Sequence, residues 1–424
     1  MKEINFTALN KLFQALTGAR IVKNVQNISF IFHDEPKHYH YQAEINIPKK
    51  YNNHLLKISV PVSTGISFQS KKLALLKCFG EAMERYSQFI YKKRSIIYTS
   101  YSKLKKNALD PSTYIHQESI KSKLFGWVKG FNVTHQTFSY IPAQLVYLNY
   151  LNKKKERLLS PSISTGAAGG FDHETTVLRG IYEVIERDAF MTIYLTKGTP
   201  TIIDLTTIKC KKIQNIIEQY WRYRLETILI DITNDIGIPV YLTMLIDRTG
   251  LGPAISLGLK AGMDSHNVII GSMEEAILTR PWIRKMIKSR TINNTKASGN
   301  TLHSIEERAL YWFHSSMLAK IRFLIRGSVT LFKTTPFLHK NKKQELKTVI
   351  NMLNKRNYNV YYIDITTNLF KKLNYFVYKI IIPGLQPLYL DEGHKTLQYD
   401  RLNSVSRYFH KNALIINEVP HPLL

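Results

Sequence analysis

The chain has 424 residues, 44% hydrophobic and 21% charged, proportions that exclude a disordered or fibrous protein and suffice for two or three packed lobes. Lys and Arg total 59 against 31 Asp and Glu, a formal net charge of +28 and a pI near 9.8, which by itself allows an anionic partner. The basic residues are scattered, their longest run is Lys153-Lys154-Lys155 in an expected loop, and no nucleic-acid fingerprint accompanies them, so nucleic acid is not the expected partner.

Met1 to Val22 has no uninterrupted apolar core and no small-residue cleavage site, so it is not a secretory signal. Within it, Phe6 to Leu16 carries apolar residues at helical spacing and stops at Thr17-Gly18. Ile28 to Phe32, Tyr41 to Ile47 and Leu55 to Val62 read as strands, the second alternating through Tyr41, Ala43, Ile45 and Ile47. A small-residue loop, Ser63-Thr64-Gly65, then leads to a helix over Lys72 to Tyr91 with Leu73, Leu76, Phe79 and Met83 as its buried stripe. Cys78 lies on that helix as a packing residue; with Cys210 it completes the cysteine content, which excludes a disulfide framework and suits a reducing interior.

Residues 93–137 are mixed and loop-rich, and Tyr140 to Tyr150 returns to strand. Leu151 to Pro161 enters a second small-residue loop, Ser162 to Gly170, whose glycines let backbone amides approach a ligand. Glu174 to Leu195 is the second long helix. Ile228 to Thr233 (Ile-Leu-Ile-Asp-Ile-Thr), followed by a strand over Pro239 to Ile246, is echoed by Tyr361 to Thr366 (Tyr-Tyr-Ile-Asp-Ile-Thr) and a strand over Phe376 to Ile382. Between the echoes, Ser272 to Lys288 and Ser304 to Ile325 read as helices. The polar stretch Arg290 to Asn300 reads as a mobile loop, and Thr334 to Gln344 as a weaker break. Phe376 to Leu390, interrupted by Lys379, Pro383 and Pro387, is too short and broken to span a bilayer, and the expected location is cytoplasmic. The fold class is mixed α/β with internally pseudo-repeated strand-loop-helix units.

The most informative pattern is a repetition. Ser63-Thr64-Gly65 precedes Glu81-Ala82-Met83-Glu84-Arg85 as Ser164-Thr165-Gly166 precedes Glu183-Val184-Ile185-Glu186-Arg187. In each copy two glutamates three apart share a helix face, with an arginine beside the second. Two such helices facing each other would converge carboxylates and guanidiniums, the groups that take magnesium and triphosphate; the bland reading is a pair of solvated helix faces with local ion pairs.

Extended through Leu178-Arg179-Gly180-Ile181-Tyr182 and Asp188-Ala189, through Gly80, and on to Glu275-Ala276-Ile277-Leu278-Thr279-Arg280, Ile382-Pro383-Gly384-Leu385-Gln386-Pro387 and Asn417-Glu418-Val419-Pro420-His421-Pro422, the pattern resembles the YcaO family of ATP-dependent enzymes that activate peptide backbone amides. The resemblance covers about residues 10–424, with 1–62 as an N-terminal α/β segment and 63–424 as the catalytic core, the whole chain being one multi-lobed unit around a nucleotide cavity. The ending Pro420-His421-Pro422-Leu423-Leu424 is similar to the Pro-x-Pro-x-Pro tail of the azoline-forming, SagD-like branch that makes thiazole/oxazole-modified microcins and bacteriocins. It keeps two prolines, with Leu in place of the third; the other reading is a disordered polar tail. Leu278 departs from the glutamine that the family often shows two residues before the arginine, and Glu174 is the nearest match to a further acidic ligand.

What the resemblance implies is ATP and magnesium as cofactors, with Glu81, Glu84, Glu183 and Glu186 as metal ligands. Those four, with Ser164, Gly166, Arg85, Arg187, Glu275 and Arg280, would bind the nucleotide. Arg85 and Arg187 would contact phosphate or merely balance the adjacent acids, and Ser164 and Gly166 would offer hydroxyl and amide or form a simple tight turn. Pro422 and the carboxylate of Leu424, directed inward, would act in catalysis, Leu424 as general base. A Cys, Ser or Thr side chain of a ribosomal precursor peptide attacks the preceding carbonyl, the oxyanion takes the γ-phosphoryl of ATP, and loss of phosphate leaves a thiazoline or oxazoline. The expected partners are that peptide and a separate leader-binding protein, ubiquitin-activating-like or TfuA-like, since the N-terminal stretch is too short for a fused leader-binding domain; a homodimer is compatible and a membrane is not expected. The alternatives are a thioamide- or amidine-forming relative and a non-catalytic scaffold.

Overall fold

The computed structural model describes residues 6–29, 31–48, 61–148, 150, 156–289, 302–334, 341–409 and 414–424. The Lys153-Lys154-Lys155 run, the Arg290 to Asn300 stretch, and most of the expected strand before Val62 and of the break after Thr334 lie outside them.

Helix α1 (Phe6–Gly18) forms where expected, burying Leu9, Leu12 and Leu16. Strand β1 occupies Val22–Asn27 instead of Ile28 to Phe32, and pairs antiparallel with β2 (Tyr39–Ile45). The reason is local: the Asn27 side-chain carbonyl accepts the Ser29 N–H at 3.0 Å, a turn that ends the strand before the apolar run begins. Strand β3 (Val62–Ser67) absorbs Ser63-Thr64-Gly65, which is therefore ladder and not loop, with Thr64 opposite Gln42 and Gly65 opposite Tyr41. Gly65 is required there by sterics, because a Cβ would strike Ala74 O and Cys78 N of the next helix. That helix, α2 (Lys71–Phe89), starts at Ser70, whose Oγ accepts the Leu73 N–H. It buries Ala74, Cys78, Phe79, Ala82 and Met83, while the expected Leu73 and Leu76 are half-buried, since the small residues face β3.

Next come β4 (Ile97–Ser100), α3 (Tyr101–Leu104), β5 (Leu124–Asn132) and β6 (Thr137–Pro142). The expected strand Tyr140 to Tyr150 thus begins and ends earlier, Pro142 having no N–H to continue the ladder. β7 (Ala167–Gly170) leads into α4 (His173–Leu195), followed by β8 (Thr201–Asp204), α5 (Lys211–Arg222), β9 (Leu225–Asp231), β10 (Val240–Asp247) and β11 (Ile255–Ala261). The expected helix Ser272 to Lys288 is two, α6 (Ser265–Leu278) and α7 (Arg280–Ser289), split at Thr279, with Pro281 in the first turn of α7 where its missing N–H costs nothing. Likewise Ser304 to Ile325 divides into α8 (Ile305–Tyr311) and a tighter helical stretch over Ser315–Ile325. β12 (Val329–Leu331), α9 (Lys342–Asn354), β13 (Tyr361–Asp364), α10 (Asn368–Lys372), β14 (Phe376–Ile381) and α11 (Tyr399–Tyr408) complete the mixed α/β chain.

The chain divides into two compact units, one of residues 1–29, 38–184 and 341–384, the other of 30–37, 185–340 and 385–424. Among the described residues the first unit holds the sheet β1-β2-β3 and a second sheet, β4-β5-β13-β14-β7, with β6 on β5. Its core gathers Leu16, Ala43, Ile45, Phe79, Met83, Ile363, Phe370 and Val377. The other unit is built on β11-β10-β9-β8-β12, antiparallel until β12, which joins β8 in parallel.

An antiparallel hairpin followed by a helix laid on its second strand occurs in each unit, as β2-β3-α2 and as β10-β11-α6. In the second case Gly258 plays the part of Gly65, its absent Cβ leaving room for Ser272 O and Ala276 N. The Ile-Asp-Ile-Thr echo has its own cause. Asp231 accepts the Thr233 N–H and Asp364 the Thr366 N–H, both at 2.9 Å. The two threonine hydroxyls then accept the N–H of Val240 and of Val377 on the next strand. The echo is a strand ending built twice.

Candidate active site

In the first unit the doubled motif resolves into a specific set of bonds. Thr64 N–H donates to Glu81 at 2.5 Å and Gly166 N–H to Glu183 at 3.1 Å, across the same separation of 17 residues. The second glutamate of the first copy reaches the other strand, where Gly169 N–H donates to Glu84 at 2.7 Å. Helices α2 and α4 can bring these carboxylates to the strands because residues three apart on a helix share a face. Burial pushes Glu84 up to about 8; Arg179 opposes the shift, while Glu183 and Glu81 nearby add to it. Glu84 therefore senses the charge of both Glu81 and Glu183. Arg85 folds back onto Glu81, Nη2 to Oε1 at 2.8 Å, and Arg179 donates to Gly169 O at 2.8 Å.

The turn at Ser164-Thr165-Gly166 is held from below. Lys379, 3% exposed, donates its ammonium to Ile163 O and Thr165 O, both at 2.7 Å. Burial lowers its pKa to about 8 against the pull of Glu183. Gly166 adopts φ +83°, and its carbonyl accepts the Ile380 N–H at 2.7 Å. Ser164 is exposed, and Glu174 sits half-buried in the first turn of α4.

In the second unit Glu186 is 1% exposed; Ala261 N–H donates to it at 2.9 Å and Lys260 Nζ lies 3.2 Å from it. Burial raises its pKa, Lys260 opposing and Glu275 reinforcing the shift. Glu275 also pairs with Lys260 at 3.2 Å. Arg187 adjoins Glu186 and His421, and its Nε is buried with no hydrogen-bond partner among the described atoms. Asp188 is saturated: Arg401 binds both its oxygens, Asn234 donates to Oδ2, and Gln386 N–H donates to Oδ1 at 2.8 Å. The Pro-Gly-Leu-Gln-Pro segment is thereby pinned.

Arg280 is placed differently from a phosphate ligand. It is 1% exposed, and its N–H groups go to Glu35, Asp247, Pro253 O and Ser256. The Pro-rich tail folds inward. Pro420 O accepts from Tyr194 OH and Trp312 Nε1, His421 O accepts from Arg308, and Pro422 and Leu423 are buried while Leu424 is half-buried.

Residues 69–386 match the family model described as YcaO cyclodehydratase, ATP- and Mg2+-binding. The chain belongs to the YcaO family. An uncharacterized protein of Methanothermobacter thermautotrophicus is 23% identical over 315 residues, 73% of this chain and 78% of the relative. Among solved structures, a heterocyclase in complex with substrate and cofactor aligns at TM-score 0.77 and 18% identity over 97% of this chain, which spans 57% of that protein's length. YcaO from Methanopyrus kandleri, bound with AMPPCP and Mg2+, aligns at TM-score 0.67 and 14% identity over 92% of this chain and 93% of its own.

The YcaO assignment makes the protein an ATP-dependent enzyme whose cofactors are ATP and Mg2+. Its residues fit that pair. Glu81 and Glu183 both disfavour the anion of Glu84, and a divalent cation beside it would stabilise the charged form that burial opposes. Arg187 offers a buried N–H to an anion. Among the described residues no three His, Cys, Asp or Glu side chains already stand at coordinating distances; backbone amides hold the acids apart. Lys379, Lys260 and Arg179 stand beside these groups with no site role expected from the sequence. The signal was there for the lysines, since each stands alone in an apolar strand, where a cation is retained only with partners.

Two limits on membrane and cysteine chemistry follow from the same structure. No helix among the described residues is long and apolar enough to cross a membrane. Cys78 is buried with its thiol pushed up to about 12, chiefly by desolvation, which suits packing and not nucleophilic chemistry.

Proposed function

We propose that this YcaO protein is an azoline-forming cyclodehydratase: it phosphorylates the backbone amide oxygen of a ribosomal precursor peptide after attack by a Cys, Ser or Thr side chain, and releases phosphate to leave a thiazoline or oxazoline. The observation that carries the reading is the paired anchoring of Glu81 and Glu183, each fixed by a backbone amide 17 residues before it, with Glu84 beside them. Such preorganisation suits a reaction in which the protein contributes mainly position and charge.

In this reading Glu81, Glu84 and Glu183, all of the first unit, would hold Mg2+. Ser164 and the Gly166 turn, stiffened by Lys379, face the nucleotide. Arg187 binds phosphate, whereas Arg85 balances Glu81 and Arg280 is a structural cation. Mg2+ when bound supplies charge neutralisation on the triphosphate. The inward tail supports a role for Pro422 and Leu424 near the reacting peptide. Leader recognition is assigned to a separate partner of ubiquitin-activating-like or TfuA-like type.

The test incubates the chain with Mg-ATP, a Cys/Ser/Thr-bearing precursor peptide and that partner, following phosphate release and peptide mass. Loss of one water per ring with matching phosphate release is expected. Exchange of oxygen for sulfur when sulfide is supplied would replace the reading with thioamidation, and peptide-independent inertness toward ATP would remove it.

A further inference from the structure

Lys260 departs from its surroundings. It interrupts the apolar run Ile255-Ser256-Leu257-Gly258-Leu259 on β11, yet its Nζ stands 3.2 Å from Glu186 and 3.2 Å from Glu275. The backbone on either side of it serves the same two acids: Ala261 N–H donates to Glu186 at 2.9 Å, and Leu259 N–H approaches Glu275 at 3.4 Å. The lysine thus sits between two carboxylates presented to one strand edge from two helices.

The path of its side chain is built for this. The aliphatic stem lies against α6 at Gly271, one turn before Glu275, and a Cβ at Gly271 would come within 2.8 Å of Lys260 Cδ. Any larger residue there would deflect the stem. Glu186 is 1% exposed, so leaving its charge unmatched would be costly.

We propose that Lys260 is a built-in cation of the YcaO nucleotide site, its ammonium group holding Glu186 and Glu275 together in the place a divalent ion would take. The Glu186 and Glu275 pair then works on lysine charge and binds no metal ion of its own, which makes Lys260 a positioning residue that sets how many divalent ions the enzyme takes. The idea rests on the function proposed above and makes Glu186, expected from the sequence as a metal ligand, a partner of lysine.

The test counts ions. The apo protein is titrated with Mn2+ alone and bound metal is read by electron paramagnetic resonance, with circular dichroism to establish folding. Lys260→Met is expected to bind one more Mn2+ per chain than the parent protein. Lys260→Arg, and Lys260→Met combined with Glu275→Gln, are expected to return to the parent count. In a parallel arm, the Mg2+ dependence of AMPPCP binding should steepen by one ion in Lys260→Met and not in Lys260→Arg.

An unchanged Mn2+ count in folded Lys260→Met overturns the proposal, and Lys260→Gln supplies the same comparison should the methionine variant not fold. A parent protein that binds no AMPPCP would sink the proposed function, whereas the Mn2+ count would still decide the role of Lys260.

Discussion

Gly166 and Glu183 hold each other in place: the glycine's N–H donates to the carboxylate, while its φ of +83° turns the chain so that its carbonyl accepts the Ile380 N–H. One residue thus orients an acid on α4 and fixes the turn before β7. A side chain there meets both a disfavoured backbone region and the Ile380 carbonyl. Gly166→Ala should cost about 1–3 kcal/mol of stability and weaken nucleotide binding, read by a thermal melt and a fluorescent-nucleotide titration. A melt unchanged from the parent would show that the turn is not strained.

Glu84→Gln and Glu183→Gln should keep the fold, since each amide oxygen can still accept its backbone N–H. Both lose the anion. ATP turnover is expected to fall by roughly two orders of magnitude or more if these carboxylates serve charge stabilisation. Glu186→Gln should do likewise. Phosphate release at the parent rate in any of the three removes that residue from the site.

His40 sets a pH dependence in the first unit. It is 2% exposed, neither ring nitrogen has a hydrogen-bond partner among the described atoms, and burial lowers its pKa to about 3, with His38 adding repulsion. The unfolded chain therefore binds more protons than the native one between about 3 and the ordinary histidine value. Stability must fall as pH drops through that window, by on the order of a few kcal/mol. His40→Leu should flatten the acid limb of a melting-temperature profile; an unaltered limb would assign acid sensitivity elsewhere.

Asp188 and Arg401 form a buried pair, both at most 2% exposed. Arg401→Met alone leaves Asp188 with only amide donors, takes the guanidinium from Asp235 as well, and should cost about 3–5 kcal/mol. Exchanging Asp188 for Asn in the same background should recover part of it. Chemical denaturation of the single and double variants measures the difference, and additive losses would contradict the pairing.

Removing Pro420 to Leu424 strips the acceptors of Tyr194 OH, Trp312 Nε1 and one Arg308 donor, each worth about 1–3 kcal/mol when left unmet. Deleting Leu424 alone spares them all. The short deletion is expected to impair ring formation more than nucleotide binding, with stability intact; equal loss of both would end the case for a catalytic tail.

Much of this was legible in the amino-acid order because it was written as periodicity. Helices α1, α2 and α4 and strands β2, β10 and β14 announce themselves by apolar spacing, and the doubled Glu-x-x-Glu-Arg marked the acids. The failures have local causes. Ser63-Thr64-Gly65 and Ser164-Thr165-Gly166 look alike, but the first is ladder and the second turn, because the first belongs to a hairpin with β2. Lys260 and Lys379 escaped notice since a lone cation in a strand shows its purpose only when distant partners arrive. The counter-ion Glu35 of Arg280 was not legible because it lies 245 residues away in sequence.

That last separation bears on how the protein is made. Glu35 leaves the ribosome 245 residues ahead of Arg280, which at common elongation speeds of about 5–20 residues per second is roughly ten to fifty seconds. Throughout that interval an acid destined for the interior must wait in water for its arginine. Closure of the second unit is thus a late event in synthesis, and nascent chains halted before α7 should remain vulnerable to proteases and to premature association.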